Sequence, residues 1–202
     1  MRFSTKTEEA LGPSPTIVEI GMGDGRLLEL LANNDCRDDR GRSITYIGIE
    51  IDKEQYECAK SRIKLGNVKL INGSFKDILP RFPDWSIDKI IAVLPDPTFI
   101  DPVKQHEWII LYRAVFSKLK NNGLFRLVTE ITDELLLPVS DAAYHQWGDW
   151  LVSTFESLGF ELMNRNQDAP IEYSTRCIDL FRADPQRIRM ITLDFRKHYC
   201  QS

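Results

Sequence analysis

Short apolar runs alternate along the chain with longer stretches whose apolar residues recur every three or four positions. The short runs, at residues 16–20, 44–50, 68–71, 87–93 and 124–128, read as strands. The first helix starts near Gly25 and turns Leu27, Leu28, Leu30 and Leu31 inward. The polar stretch 33–42 breaks the periodicity and reads as a loop. Asp52 caps a helix over 53–64 that Gly66-Asn67 ends, and a helix over 103–119 stops at Asn121-Asn122-Gly123. Downstream, a helix over 141–158 closes at Gly159, followed by a strand at 160–163, a short helix near 176–181 and a last strand at 187–194. Strands alternating with helices imply a parallel sheet with right-handed crossovers, a doubly wound α/β fold. One domain over residues 1–202 is expected, with 1–15 a mobile N-terminal extension.

The first strand ends in Val18-Glu19-Ile20-Gly21-Met22-Gly23-Asp24-Gly25. Glycines at alternate positions let the backbone turn sharply and let a ligand lie against main-chain N–H groups. An acid two residues before the first glycine suits a cationic nucleotide-like ligand, and S-adenosyl-L-methionine is one; Glu19 would face its ammonium group. A dinucleotide turn would need a glycine where Arg26 stands. The second strand also ends in an acid, Glu50, followed by Ile51. In nucleotide-binding βαβ units an acid there accepts hydrogen bonds from the ribose hydroxyls.

Composition narrows the setting. With 202 residues, 43% of them apolar, the chain can bury a sizeable core, and its formal net charge of −4 argues against a broadly basic nucleic-acid binder. A local basic patch remains open: Arg182, Arg187, Arg189, Arg196 and Lys197 outnumber Asp184 and Asp194, though an ordinary solvated face reads equally well. The N-terminus lacks the apolar stretch of a signal peptide and no run approaches membrane-spanning length, so a soluble cytoplasmic protein is expected. Cys36, Cys58, Cys177 and Cys200 are scattered, with no spacing that suggests a metal site. Trp108, Tyr112 and Phe116 recur at helical spacing and read as a core face, and His106 and His145 read as surface or core-edge residues.

The fourth strand runs into Leu94-Pro95-Asp96-Pro97. Proline on either side of Asp96 restricts the backbone and holds the carboxylate in a stiff loop at the sheet edge. With the Glu19-to-Gly25 turn, Gly48-Ile49-Glu50, residues 67–74 and Gly123 through Thr129-Glu130, this order resembles the class I methyltransferases that form 7-methylguanosine in tRNA, the tRNA (guanine-N7)-methyltransferase family. The resemblance implies a Rossmann-like class I methyltransferase fold: a mostly parallel seven-stranded sheet with an antiparallel last strand. It also implies S-adenosyl-L-methionine as cofactor and tRNA as partner.

Carried over by residue, Gly21, Gly23, Gly25, Glu50 and Ile51 are cofactor contacts, and Gly73, Ser74 and Phe75 lie along the adenine. Asp96 is the active-site aspartate, Glu130 stands where the family has Asp after Thr129, and Thr175 matches the threonine of a late Thr-x-x-Glu element. Asp96, Thr129 and Thr175 would meet the substrate, with Phe99 either stacking on the base or packing in the loop. Departures are Ser74 in place of an acid, Ile178 in place of the late glutamate with Asp179 next to it, and a segment 98–108 that carries Asp101 and Glu107 beside Lys104 and His106. A small-molecule or protein acceptor, or a non-catalytic cofactor-binding subunit, therefore stands as the alternative.

Overall fold

A computed structural model describes residues 14–133 and 135–198. The expected N-terminal extension lies outside them except for Ser14 and Pro15, as does Cys200. The elements run β1 (Thr16–Ile20), α1 (Arg26–Asn34), β2 (Thr45–Glu50), α2 (Lys53–Arg62), β3 (Val68–Asn72), α3 (Phe75–Ile78), β4 (Ile87–Val93), α4 (Gln105–Lys118), β5 (Leu119–Thr132), α5 (Asp141–Ser157), β6 (Phe160–Gln167), α6 (Arg176–Arg182) and β7 (Ile188–Lys197). They form a seven-stranded sheet in the order β3-β2-β1-β4-β5-β7-β6. β7 lies antiparallel between β5 and β6, with Leu127 opposite Leu193 and Leu162 opposite Phe195, and the pairings among β1 to β5 are parallel.

Both faces of the sheet are covered, which is why the strands read as apolar runs rather than alternating ones. Val18, Ile20, Ile90 and Ala92 pack against Trp108, Tyr112 and Val115 of α4 and Leu151 and Phe155 of α5. On the other face Ile91, Val93 and Val128 meet Leu27 of α1 and Ile178 of α6, while Tyr46 meets Leu28, Ala59 and Ile63. Gly48 has no room for a side chain, because Met22 and Leu28 occupy the space a Cβ would need.

The helix expected over 103–119 begins at Gln105 and stops at Lys118, since Pro102–Lys104 forms a separate 3-10 turn. The Asn-Asn-Gly signal falls inside β5 instead, where Asn122 takes a left-handed conformation (φ 61). β4 pairs irregularly with β5 across this stretch, from Ile87 opposite Leu119 to Lys89 opposite Leu124. β6 and β7 outrun the expected strands because each finds a partner along its whole length, which the local sequence does not reveal. Sheet order reverses between β1 and β4, so their carboxyl ends frame a crevice at the topological switch point.

Candidate active site

β1 leads into a turn in which Gly21 (φ 72), Gly23 (φ 56) and Gly25 (φ 78) all adopt the left-handed conformation that a Cβ disfavours. The turn is tied to β2. The N–H groups of Gly21 and Met22 donate to the carbonyl of Ile49 (2.9 and 3.1 Å), and that of Gly23 donates to Glu50 Oε2 (2.8 Å). Glu50 Oε1 accepts from the N–H of Asp52 (2.8 Å), so one buried carboxylate braces two loops. A Cβ on Gly21 or Gly23 would meet no protein atom. Gly25 differs, for a Cβ there would lie 2.8 Å from Ile63 Cδ1 and 2.9 Å from Ala59 Cβ. Its role in this fold is close packing of the turn against α2.

Above the switch point the crevice has two lobes that share Gly21, Val93 and Leu94. The β2–β4 lobe, about 240 Å³, is lined by Glu50, Ile51, Gly73, Phe75, Asp96 and Phe99 among others. The α2–α6 lobe, about 520 Å³, brings Glu19, Gly23 and Asp24 together with Arg26, Cys58, Arg62, Thr175, Arg176 and Cys177. Leu94, at the junction, holds a positive φ of 48° while its N–H donates to the Val128 carbonyl (2.7 Å). Such strain in a branched residue marks a position fixed by its surroundings.

Three carboxylates at this edge have different environments. Glu19 is 2% exposed, its Oε2 lacks a hydrogen-bond partner, and burial, with Glu50 and Asp24 nearby, pushes its pKa up to about 8. Glu130 on β5 is pushed up to about 7 by burial, and its Oε2 also lacks a partner. Asp96 is exposed and held below the usual carboxylate range, because its Oδ1 accepts from the Thr98 hydroxyl (2.7 Å) and the Thr98 N–H (2.9 Å). Its Oδ2 has no donor among the described residues.

Four expected site residues line neither lobe. Gly25 packs behind the turn, and Ser74 caps α3, its hydroxyl accepting from the Lys76 N–H (3.3 Å). Thr129 and Glu130, successive on β5, project to opposite faces of the sheet. Thr129 is fully buried with its hydroxyl unpaired. Thr175 reaches the α2–α6 lobe while its hydroxyl caps α6 through the Ile178 N–H (3.2 Å). Ile178 is core, and Asp179 beside it is exposed, accepting from the Ser174 hydroxyl (2.9 Å). Phe99 packs edge-on to Phe75, with ring centroids 5.2 Å apart, the packing role considered for it, and it also lines the β2–β4 lobe.

The basic tail segment resolves into local pairs. Arg187 meets Asp184 (2.5 Å), Arg189 meets Asp141 (2.7 Å) and Arg182 lies 3.5 Å from Asp168, while Lys197 is buried. Sequence reasoning missed Arg26, Arg62, Arg176, Leu94 and the two thiols Cys58 and Cys177 as cavity residues. Residues from α1, α2 and α6 that meet only in three dimensions leave no signal in local spacing.

Comparison with known proteins agrees with this geometry. A methyltransferase family model matches residues 13–164. A tRNA (guanine-N(7)-)-methyltransferase of Geobacillus sp. (strain WCH70) is 28% identical over 170 residues, covering 80% of this chain and 71% of that protein. One from Magnetococcus marinus is 34% identical over 85 residues, 40% of this chain and 31% of that protein's length. In fold, the chain is similar to an S-adenosylmethionine-dependent methyltransferase from Listeria monocytogenes, with TM-score 0.63 at 16% identity, covering 95% of this chain and 96% of that one. Sheet order, glycine turn and crevice define a class I, S-adenosylmethionine-dependent methyltransferase. Within that class the chain belongs to the methyltransferase family whose model it matches from residue 13 to residue 164.

Proposed function

We propose that this methyltransferase forms 7-methylguanosine in tRNA, with the β2–β4 lobe as its reaction site. The observation that carries the reading is Asp96: an ionised carboxylate at the mouth of that lobe, with one oxygen held by Thr98 and the other free of protein donors. The two tRNA (guanine-N(7)-)-methyltransferase relatives support the same acceptor.

The residues present fit S-adenosyl-L-methionine. Glu50 retains lone pairs for ribose hydroxyls beyond the two N–H groups it already holds. Ile51, Gly73 and Phe75 offer an apolar slot for the adenine. Gly21 and Gly23 present bare α-carbons, and the buried, unpartnered Glu19 Oε2 matches an ammonium or sulfonium centre. When bound, the cofactor supplies an electrophilic methyl group.

Guanine N7 carries a free lone pair and no proton, so its methylation needs positioning and charge balance rather than a general base. Asp96 Oδ2 accepts from the Watson–Crick edge of a guanine turned into the crevice and offsets the positive charge that grows on the ring. Phe99, beside it, offers a stacking edge. Lys76, whose Nζ lies 4.7 Å over the Phe99 ring, and Lys104 surround Asp96 with positive potential, favourable to a polyanion.

The test is to incubate the protein with labelled S-adenosylmethionine and unmodified bulk tRNA, digest to nucleosides, and compare with Asp96→Ala. Label in 7-methylguanosine that falls on the order of 10²-fold in the variant is expected. No label in a protein that still binds S-adenosylhomocysteine would discard tRNA and turn attention to a small-molecule or protein acceptor.

A further inference from the structure

The α2–α6 lobe has a charge the reaction above does not use. Its wall presents three guanidinium groups, Arg26 from α1, Arg62 from α2 and Arg176 from α6. Asp24 on the glycine turn is shared by two of them, with Oδ2 lying 2.9 Å from Arg26 Nε and 3.2 Å from Arg62 Nη1. Arg62 Nη1 also donates to the Asp24 carbonyl (2.9 Å), which fixes that side chain against the turn. Arg176 faces the lobe with no partner among the described residues.

Around the rest of this sheet edge the arginines are neutralised: Arg182, Arg187 and Arg189 each have an aspartate. In a chain of net charge −4, a lobe wall on which Arg26 and Arg62 share the single carboxylate of Asp24 while Arg176 has no partner among the described residues stands out. The other acid of the lobe, Glu19, is buried at its floor and its pKa is raised to about 8, so near neutral pH it is mostly uncharged. Like charges facing one groove repel unless an anion joins them. The planar fork of a guanidinium fits two oxygens of a phosphate at once, which a lysine does not.

We propose that Arg26, Arg62 and Arg176 form a phosphodiester clamp in the α2–α6 lobe that holds the RNA backbone of the acceptor while its guanine occupies the β2–β4 lobe. The proposal rests on the tRNA reading above and adds to it the residues that hold the backbone. Arg62 is the fixed jaw, Arg26 shares its counter-ion, and Arg176 closes from α6. The same chemistry could instead serve the α-carboxylate of the cofactor, which the junction at Gly21 and Leu94 brings within the same crevice.

Binding of a fluorescently labelled, unmodified tRNA transcript is measured by anisotropy across a potassium chloride series, with S-adenosylhomocysteine saturating. The proteins compared are wild type, Arg176→Ala, Arg176→Lys and Arg26→Ala; both positions are exposed at the surface, so the fold should tolerate the changes. S-adenosylhomocysteine affinity is measured separately by calorimetry. The expected result is that Arg176→Ala weakens tRNA binding about 3- to 10-fold and lowers the salt slope by about 1, that Arg176→Lys recovers the slope but only part of the affinity, and that cofactor affinity stays within about twofold.

If tRNA binds all four proteins equally, the clamp is wrong and the tRNA reading survives. If Arg176→Ala instead weakens S-adenosylhomocysteine and leaves RNA binding alone, the arginines serve the cofactor carboxylate and the clamp is again wrong. Wild type that does not bind tRNA at all overturns clamp and reading together.

Discussion

The two lobes of the crevice share a floor and differ in nearly everything else. The β2–β4 lobe is walled by strand ends and apolar side chains, and its charged groups are the carboxylates Glu50 and Asp96. The α2–α6 lobe lies between the glycine turn and the helices α1, α2 and α6, and carries Arg26, Arg62 and Arg176 beside the acids Glu19 and Asp24. In the proposed reading the cofactor crosses the junction at Gly21, its adenosine beside Glu50 and its ammonium toward Glu19, whereas the arginines belong to the α2–α6 lobe alone.

The contrast breaks most visibly at Glu50. Glu50→Ala removes the acceptor for the N–H groups of Gly23 and Asp52 as well as the ribose contact proposed for it. Cofactor affinity is expected to fall on the order of 10²-fold by calorimetry, as follows when a hydrogen-bonded buried charge is lost and its donors are left unpaired. A variant that still binds S-adenosylhomocysteine within threefold would show that the β2–β4 lobe is not where the ribose sits.

The glycines sharpen the same comparison, because the turn that divides the lobes uses them for two purposes. Gly25→Ala adds a Cβ against Ala59 and Ile63 to the cost of a positive φ, and should destabilise the protein by about 2–4 kcal/mol. Gly21→Ala pays only the backbone strain, about 1–2 kcal/mol, but puts a methyl group at the junction of the lobes. Thermal melts with and without S-adenosylhomocysteine should therefore rank Gly25→Ala lower in stability and Gly21→Ala lower in ligand-induced stabilisation. The reverse order would exchange their roles.

How much of this could be read from the chain depended on the range of the contacts. The strands β1 to β5 and the tips that carry Glu19, Glu50 and Asp96 were legible, because a parallel strand buried on both faces is a continuous apolar run and a tight turn needs glycine. Ser74 and Gly25 sat in the right motifs, yet the structure gives one hydroxyl to capping α3 and one glycine to packing on α2. Thr129 and Glu130 are adjacent in sequence, and strand pleating sends them apart. The arginines of the α2–α6 lobe were invisible, since Arg26, Arg62 and Arg176 come together only when α6 closes over the turn. The helix stop at Asn121–Gly123 was a good local signal, since α4 ends at Lys118, but the sequence did not show that these residues fall in the register break of β5 against β4.

Glu19 links the two lobes electrostatically, and its titration has a definite sign. Its pKa in the folded chain is about 8 against an ordinary 4.5, so between those values the unfolded chain is ionised while the folded one keeps the proton. Folding stability of the free protein from this group is fully present below pH 4.5 and is lost as pH rises toward 8. Glu19→Gln removes that dependence. The variant should match wild type near pH 5 and melt higher near pH 8, by about 2–4 °C for each kcal/mol recovered in a chain of this size. It should also bind S-adenosylmethionine, which is cationic, more weakly at pH 8, where wild-type Glu19 can ionise against the ligand. Equal affinity at pH 8 would mean that Glu19 does not meet the cofactor's positive charge.

The smallest effect is expected at Ser74, and it separates two uses of one hydroxyl. The side chain lies next to Gly73 and Phe75, both in the β2–β4 lobe, but its oxygen accepts from the Lys76 N–H and it does not line the cavity. Ser74→Ala should cost about 1 kcal/mol of stability, the usual loss for an N-cap. S-adenosylhomocysteine affinity should change by less than about twofold, because Phe75 keeps its edge contact with Phe99 and the apolar slot survives. If affinity falls tenfold while the melting temperature holds, Ser74 reads the adenine and the cap is incidental. Ser74→Asp gives the complementary check: an aspartate also caps a helix, so stability should be kept, and any gain in affinity would come from a new acceptor near the adenine.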